Sequence, residues 1–229
     1  MGRPGRWAAA ALVLLALAAC QAPVEGPAAL GEPGEADFDP RLYGLWHAAF
    51  AEDDERVEIA LLVAPRAGTP YADVVLSYAD TGRAPEGKAP EADWRRVGWF
   101  RAEAYAVKLD GRTYIVARRL PGSVFDYTPE GARAGYMLVR AAFDGKGDLM
   151  LEGIAGARAK QYAPAYGAHL GTFPIGGDDT FRWLDASRDE LRQLVRSVGP
   201  DNLFAERWGP FRKAGDAHLP NFEVDLPEE

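Results

Sequence analysis

The chain is poor in the residues that metal and nucleophile chemistry draws on. Its 229 residues hold one cysteine, Cys20, and three histidines, His47, His169 and His218. A single thiol excludes any disulfide within the chain, and histidines so scattered offer no two ligands close in sequence. The signatures of a zinc-protease helix, a nucleophile elbow, a P-loop and a dinucleotide fingerprint are missing as well. No enzyme, cofactor or metal is therefore expected. A basic cluster is lacking too: 34 acidic residues face 26 basic ones, for a net charge of −8. That balance speaks against a nucleic-acid partner and against docking on anionic lipid by charge alone. There is no internal repeat, and past the N-terminus no apolar run approaches the roughly 20 residues a membrane helix needs.

The N-terminus is where a clear signal stands. Arg3 and Arg6 precede an unbroken apolar run from Ala8 to Ala19, after which the chain turns polar at Gln21. The run is too short to span a bilayer, and a charged start, a short apolar stretch and small residues before a cut describe a secretory signal. Leu17-Ala18-Ala19-Cys20 resembles the bacterial lipobox, in which the cysteine becomes the first mature residue. The resemblance implies a signal peptide over residues 1–19 and a palmitate-type diacyl or triacyl anchor on Cys20. One acyl chain holds a protein only marginally, so several chains make the attachment durable. The resemblance further implies that Gln21, where an aspartate would signal inner-membrane retention, directs the protein to the outer membrane, facing the periplasm. Loss of Arg3 and Arg6 with the leader leaves the mature chain more acidic still.

At 48% hydrophobic and 11% aromatic residues the remainder can bury a real core, and its length of about 210 residues suits one all-β domain. Residues 20–37 are Pro-, Gly-, Ala- and Glu-rich, with Pro23, Pro27 and Pro33 breaking any helix. They read as a flexible tether that could reach roughly 55–60 Å at about 3.3 Å per residue, so that the folded part need not touch the bilayer. Residues 38–215 read as the domain, and 216–229 as an acidic tail.

Within the domain, short runs rich in branched and aromatic residues alternate with turn residues, the pattern of an antiparallel meander. The expected strands are 43–50, 57–64, 72–79, 96–109, 112–120, 135–143, 148–156 and 180–184. About eight strands is the smallest common closed barrel, so the fold class is mainly β. Asp110-Gly111 and Asp144-Gly145-Lys146-Gly147-Asp148 mark tight hairpins, with glycine where positive φ is wanted. Residues 80–93, with Pro85 and Pro90, read as a long exposed loop and a candidate lid. Residues 157–179, with Tyr162, Tyr166 and His169, carry no clear signal. Ser187-Arg188-Asp189-Glu190 is a capping box. Leu191, Leu194, Val195 and Val198 then fall on one helical face until Gly199-Pro200, predicting a C-terminal helix over 187–198 packed on the outside of the barrel.

The segment Phe38-Asp39-Pro40-Arg41-Leu42-Tyr43-Gly44-Leu45-Trp46 resembles the opening of the lipocalins, whose first strand begins with Gly-x-Trp. Val124-Phe125-Asp126-Tyr127 is similar to that family's second motif, with Phe125 in place of its threonine. The resemblance implies an eight-stranded lipocalin-like barrel closed at one end by Gly44 and Trp46, with a helix after the last strand. It also implies an arginine packed across the tryptophan, for which Arg182 is the candidate. His47 follows Trp46, and Pro129 to Ala134 interrupts what would be a tight hairpin.

Other polar clusters read as solvated turns: Glu52-Asp53-Asp54-Glu55, Asp178-Asp179 and the Asp144/Asp148 pair lack the spacing of a calcium loop. Aromatics are more suggestive. Trp94, Trp99, Tyr105, Tyr114 and Tyr136 fall on or near expected strands, where alternate residues point inward. They either fill a core or line an apolar ligand cavity. Two functions stay open. One is a membrane-anchored binding protein for a small hydrophobic ligand, such as a fatty acid or lipid fragment. The other is a non-enzymatic assembly lipoprotein that engages an envelope protein through its loops or the segment Trp208 to Phe222.

Overall fold

The computed structural model describes residues 24–52, 55–80, 96–120, 135–176 and 179–214. In chain order these form β1 (Val24–Gly26), β2 (Gly44–Glu52), β3 (Glu55–Pro65), β4 (Tyr71–Asp80), β5 (Arg96–Leu109), β6 (Arg112–Arg119), β7 (Tyr136–Phe143) and β8 (Leu149–Gly153). There follow α1 (Gly156–Tyr162), β9 (His169–Gly176), β10 (Asp179–Asp185), α2 (Arg188–Val198), α3 (Pro200–Leu203) and β11 (Glu206–Lys213). Short 3-10 turns lie at Pro40–Leu42 and Ala163–Tyr166.

Strands β2 to β8 pair each with the next, all antiparallel, and β11 pairs with both β8 and β2. The ladder therefore closes into an eight-stranded barrel, as the alternation of the sequence predicts. Its inward residues include Trp46 on β2, Leu61 and Val63 on β3, Leu149 on β8 and Phe211 on β11, all buried together. The β5–β6 hairpin turns on Asp110 (φ 51°) and Gly111 (φ 77°), two successive left-handed residues that match the strands' right-handed twist. Asp144 Oδ1 accepts from the amides of Lys146 (2.7 Å) and Asp148 (3.0 Å), which makes this carboxylate the organiser of a turn.

The closing strand is not the one the sequence suggests. Residues 179–185 pair instead with β9 as a hairpin and with β1 in parallel, so β1, β10 and β9 extend the sheet sideways from the start of β7. Barrel closure falls to Glu206–Lys213, whose Gly209-Pro210 reads as a strand breaker. The β8–β11 register shifts between Trp208 and Phe211 at that point, which accommodates a residue without an N–H. Trp208 and Phe211, assigned above to a partner-binding segment, thus belong to the barrel wall, and residues 215–229 lie outside the described residues.

The tether also needs correction. Val24, Glu25, Gly26, Ala29 and Leu30 are buried, and the chain from β1 to the 3-10 turn at Pro40 runs as a strap across the barrel. Arg192 donates to the Leu30 carbonyl (3.3 Å) and Tyr105 Oη to that of Gly31 (3.1 Å), while Ala36 bridges to Ala106. Backbone carbonyls can be satisfied in this way whatever the side chain, so Pro- and Gly-rich composition did not reveal it.

Helix α2 starts on the expected capping box: Ser187 Oγ accepts from the Glu190 amide (3.3 Å) and Glu190 Oε2 from the Ser187 amide (2.7 Å). It lies outside the barrel but precedes the closing strand rather than following it. Leu191, Leu194 and Val195 pack on Tyr105, Val107, Tyr114, Val116 and Leu138 of the outer wall. Helices shorter than about 12–15 residues are marginal alone, and full burial of each large apolar side chain adds about 1.5–3 kcal/mol. Packing on the wall therefore holds α2 in place. Among the described residues no helix is long and apolar enough to cross a membrane.

Candidate functional site

The two ends of the barrel differ. Tight turns join β3 to β4, β5 to β6 and β7 to β8 at one end, where the 3-10 turn at Pro40–Leu42 also leads into β2. Gly44 enters β2 at φ 130°, a conformation that favours glycine, and a Cβ there would lie 3.0 Å from Cε of the flexible Lys213 side chain. Trp46, 2% exposed, donates from Nε1 to the Leu42 carbonyl at 2.8 Å and packs on Phe143. The cation over its ring is Lys213 Nζ, 5.4 Å from the centroid, on the strand paired with β2. Arg182, the candidate for that place, sits on β10 and pairs with Glu206. Arg41 lies 4.4 Å over Phe143 and is held by Asp39, whose carboxyl the guanidinium keeps below its usual range.

The other end, termed the mouth, carries the two-residue β2–β3 connection and the longer ones from β4 to β5, β6 to β7 and β8 to β11. The inner wall of β5, β6 and β7 is lined there by Ala102, Ala104, Ala117 and Met137, with Phe100 and Val139 beside them. Arg119, two residues beyond Ala117 and so on the same face of β6, ends this wall. Its Nη2 lies 3.3 Å from Oε2 of Glu25 on β1, with both side chains about 5% exposed or less. Gly135 also donates its amide to Glu25. A Cβ on Gly135 would stand 2.7 Å from the Trp183 ring and 3.0 Å from Glu25, so the absence of a side chain lets these groups converge. Burial raises the Glu25 carboxyl above its usual range, against the pull of Arg119.

A second pair, Arg182 Nη1 and Glu206 Oε2 at 3.4 Å, joins β10 to the start of β11. Burial pushes the Glu206 carboxyl up to about 7, with Arg182 and the Gly156 amide opposing the rise. Among the described residues Oε1 of Glu206 is buried without a hydrogen-bond partner, which fits a carboxyl that is half protonated near neutrality. Gly153, opposite Glu206, has the Trp208 ring where a Cβ would go, 2.2 Å away.

The aromatics proposed above as cavity lining are mostly elsewhere. Tyr105 and Tyr114 are buried in the outer cluster beneath α2, and Tyr136 packs against it. Trp94 lies outside the described residues. Trp99 is described in its backbone only, paired with Ser77. A cavity of about 20 Å³, enough for one water, lies in the outer cluster between β1, β7 and α2, lined by Val24, Glu25, Leu30, Val116, Leu138 and Leu191. His47 faces outward 3.6 Å from Glu58, and His169 is exposed on β9. His218, Asp53, Asp54 and Asp178 lie outside the described residues.

No protein family, curated protein or solved structure matches this chain.

The likeness to lipocalins is therefore one of fold, an antiparallel eight-stranded barrel with Gly44 and Trp46 at its closed end. Of the mouth residues, Glu25, Arg119 and Glu206 were not singled out from sequence, and Arg182 was singled out for a different place, across Trp46. Arg119 left a trace, a charge continuing the inward alternation of Ile115 and Ala117. Glu25, in a Pro- and Ala-rich stretch, left none.

Proposed function

We propose that this protein is a cell-envelope lipoprotein, anchored through lipid on Cys20, whose barrel takes up a small amphipathic molecule such as a fatty acid or lipid fragment. The observation that carries the reading is an apolar inner wall that ends at a buried ion pair. Large side chains, Trp46, Leu61, Leu149 and Phe211, fill the closed end. Nearer the mouth Ala102, Ala104, Ala117 and Met137, packed with Phe100 and Val139, lead to the buried Arg119–Glu25 pair. Apolar walls with a few polar anchors are what ligand sites consist of. In this reading Arg119 is the anchor for an acidic head group, since a guanidinium presents several N–H donors in a fixed fork. The apolar tail lies along the alanine wall. The lipid places the protein at a membrane that supplies such molecules, and Gln21 after the lipobox-like Leu17 to Cys20, in place of a retention aspartate, favours the outer membrane, facing the periplasm. A docking surface for an envelope protein has less support: among the described residues Leu62 is the exposed large hydrophobic side chain, and one residue makes no patch.

The test is a titration of a fluorescent fatty acid into the chain from position 20 carrying Cys20→Ser, with its methyl ester for comparison. Micromolar binding of the acid, about tenfold tighter than the ester, is expected from one charged hydrogen bond worth about 1.5 kcal/mol or more. Absence of binding at micromolar concentration rejects the reading; equal affinities reject Arg119 as the anchor.

A further inference from the structure

A carboxylate of the protein's own stands where the acidic head group is placed above. Glu25 lies opposite Met137 in the β1–β7 ladder and so faces the inner wall that Ala102, Ala104, Ala117 and Met137 line. Its Oε2 meets Nη2 of Arg119 at 3.3 Å, with both side chains about 5% exposed or less. That contact is long for a charge-assisted hydrogen bond, which favours roughly 2.7–2.9 Å, and it engages one N–H of the guanidinium where a well-placed carboxylate engages two. The backbone of Glu25 is fixed. Ladder pairs hold it to Met137 on one side and to Trp183 on the other, and a Cβ on the next residue, Gly26, would stand 2.6 Å from the Leu184 carbonyl. The Gly135 amide donates to its carboxyl.

We propose that Glu25 is a built-in occupant of the head-group site: its carboxylate holds the place on Arg119 that the acidic head of a ligand takes, so that binding exchanges one carboxylate for another. This inference rests on the binding reading above. Without a ligand, Glu25 keeps the buried guanidinium from standing without a counter-charge, a strongly destabilising state. A ligand's carboxylate, not tied to a strand, can turn both oxygens to Arg119 and improve on the contact that Glu25 makes. After the exchange two carboxyls share one guanidinium, and out of water two like charges do not both stay ionised. Glu25 is the one that gives way, since its strand keeps it in place and burial already favours its neutral form. Its other neighbours leave no alternative: among the described residues Arg119 is the charged group that acts on it, while β7 faces it with Met137 and β10 with Trp183. Glu25 therefore takes a proton from solvent as the ionised ligand binds, and the charge within the site stays balanced.

The experiment compares Glu25 with Glu25→Gln in the chain from position 20 carrying Cys20→Ser. The amide keeps the shape of the side chain and an acceptor for Gly135 but not the charge. The probes are a fluorescent fatty acid and its methyl ester. The variant is expected to bind the acid about tenfold tighter, the worth of one charged hydrogen bond that the ligand no longer displaces, and the ester as before. Equal tightening of acid and ester overturns the exchange, because it means that the substitution only loosens the mouth. An unchanged affinity for the acid overturns it too, and leaves Arg119 as the anchor where the acid still outbinds the ester. Calorimetry of fatty-acid binding near neutral pH, in two buffers of different ionisation enthalpy, needs no variant. It should show about one proton taken up per acid bound. Uptake near zero overturns the exchange even where Glu25→Gln does not fold. Binding of neither probe to either chain at micromolar concentration overturns the binding reading, and the exchange with it.

Discussion

Glu206 shows how one buried carboxyl couples stability to pH. Burial outweighs its attraction to Arg182 and lifts its pKa from the ordinary 4.5 to about 7. An acid whose pKa is higher in the folded than in the unfolded state holds its proton more tightly when folded. Its contribution is therefore complete below about pH 4.5 and is lost as pH rises through about 7. The loss is on the order of 3 kcal/mol at most, at about 1.4 kcal/mol per pH unit between those values. Glu25 is raised in the same direction, so it adds to the trend rather than cancelling it. Urea unfolding at intervals between pH 5 and 8 should accordingly show falling stability for the native chain and a shallower fall for Glu206→Gln, whose amide does not titrate. Parallel profiles would mean that Glu206 is solvated in the folded protein.

At the scale of elements, β1 is three residues long, yet it joins the barrel to the β9–β10 hairpin and carries half of a buried ion pair. Glu25→Ala should destabilise by about 3–5 kcal/mol, because it leaves the Arg119 guanidinium buried without its carboxylate. A combined Glu25→Ala and Arg119→Met chain should recover much of that loss, and thermal unfolding of the two variants side by side checks it. A loss below about 1 kcal/mol for the single variant would show that water reaches Arg119.

The same element shows what was legible beforehand. Strands β2 to β8 announce themselves through branched and aromatic runs bounded by turns, and α2 through its capping box, since each is specified by neighbours in sequence. β1 is specified by partners more than a hundred residues away, Met137 and Trp183, and nothing in Val24-Glu25-Gly26 anticipates them. β11 is hidden by Gly209-Pro210. The facing of β5 and β6 was also hidden: helix and strap cover their outer wall, so both faces are apolar and the period-two signal that tells inside from outside is erased. Tyr105 and Tyr114 were read inward for that reason. For the site, the closed end at Gly44 and Trp46 was legible, but the mouth was not, since its four charged residues come from four separate strands.

For the whole molecule, the proposed lipid on Cys20 is the feature that would turn a barrel into a membrane component. Cys20→Ser should leave the protein soluble or unprocessed when cells are fractionated; unchanged recovery in the membrane fraction would show that something other than lipid holds it there. Anchor and barrel have to work together for the function proposed, a barrel held at a membrane that takes up what the membrane releases. Native mass spectrometry of the protein extracted from its own host's membranes tests that most directly. The account predicts a mass above that of the lipidated chain, lost on denaturation and matching a small acidic amphiphile. A folded, lipidated protein that carries no such companion, and acquires none when offered micromolar fatty acid, would contradict it.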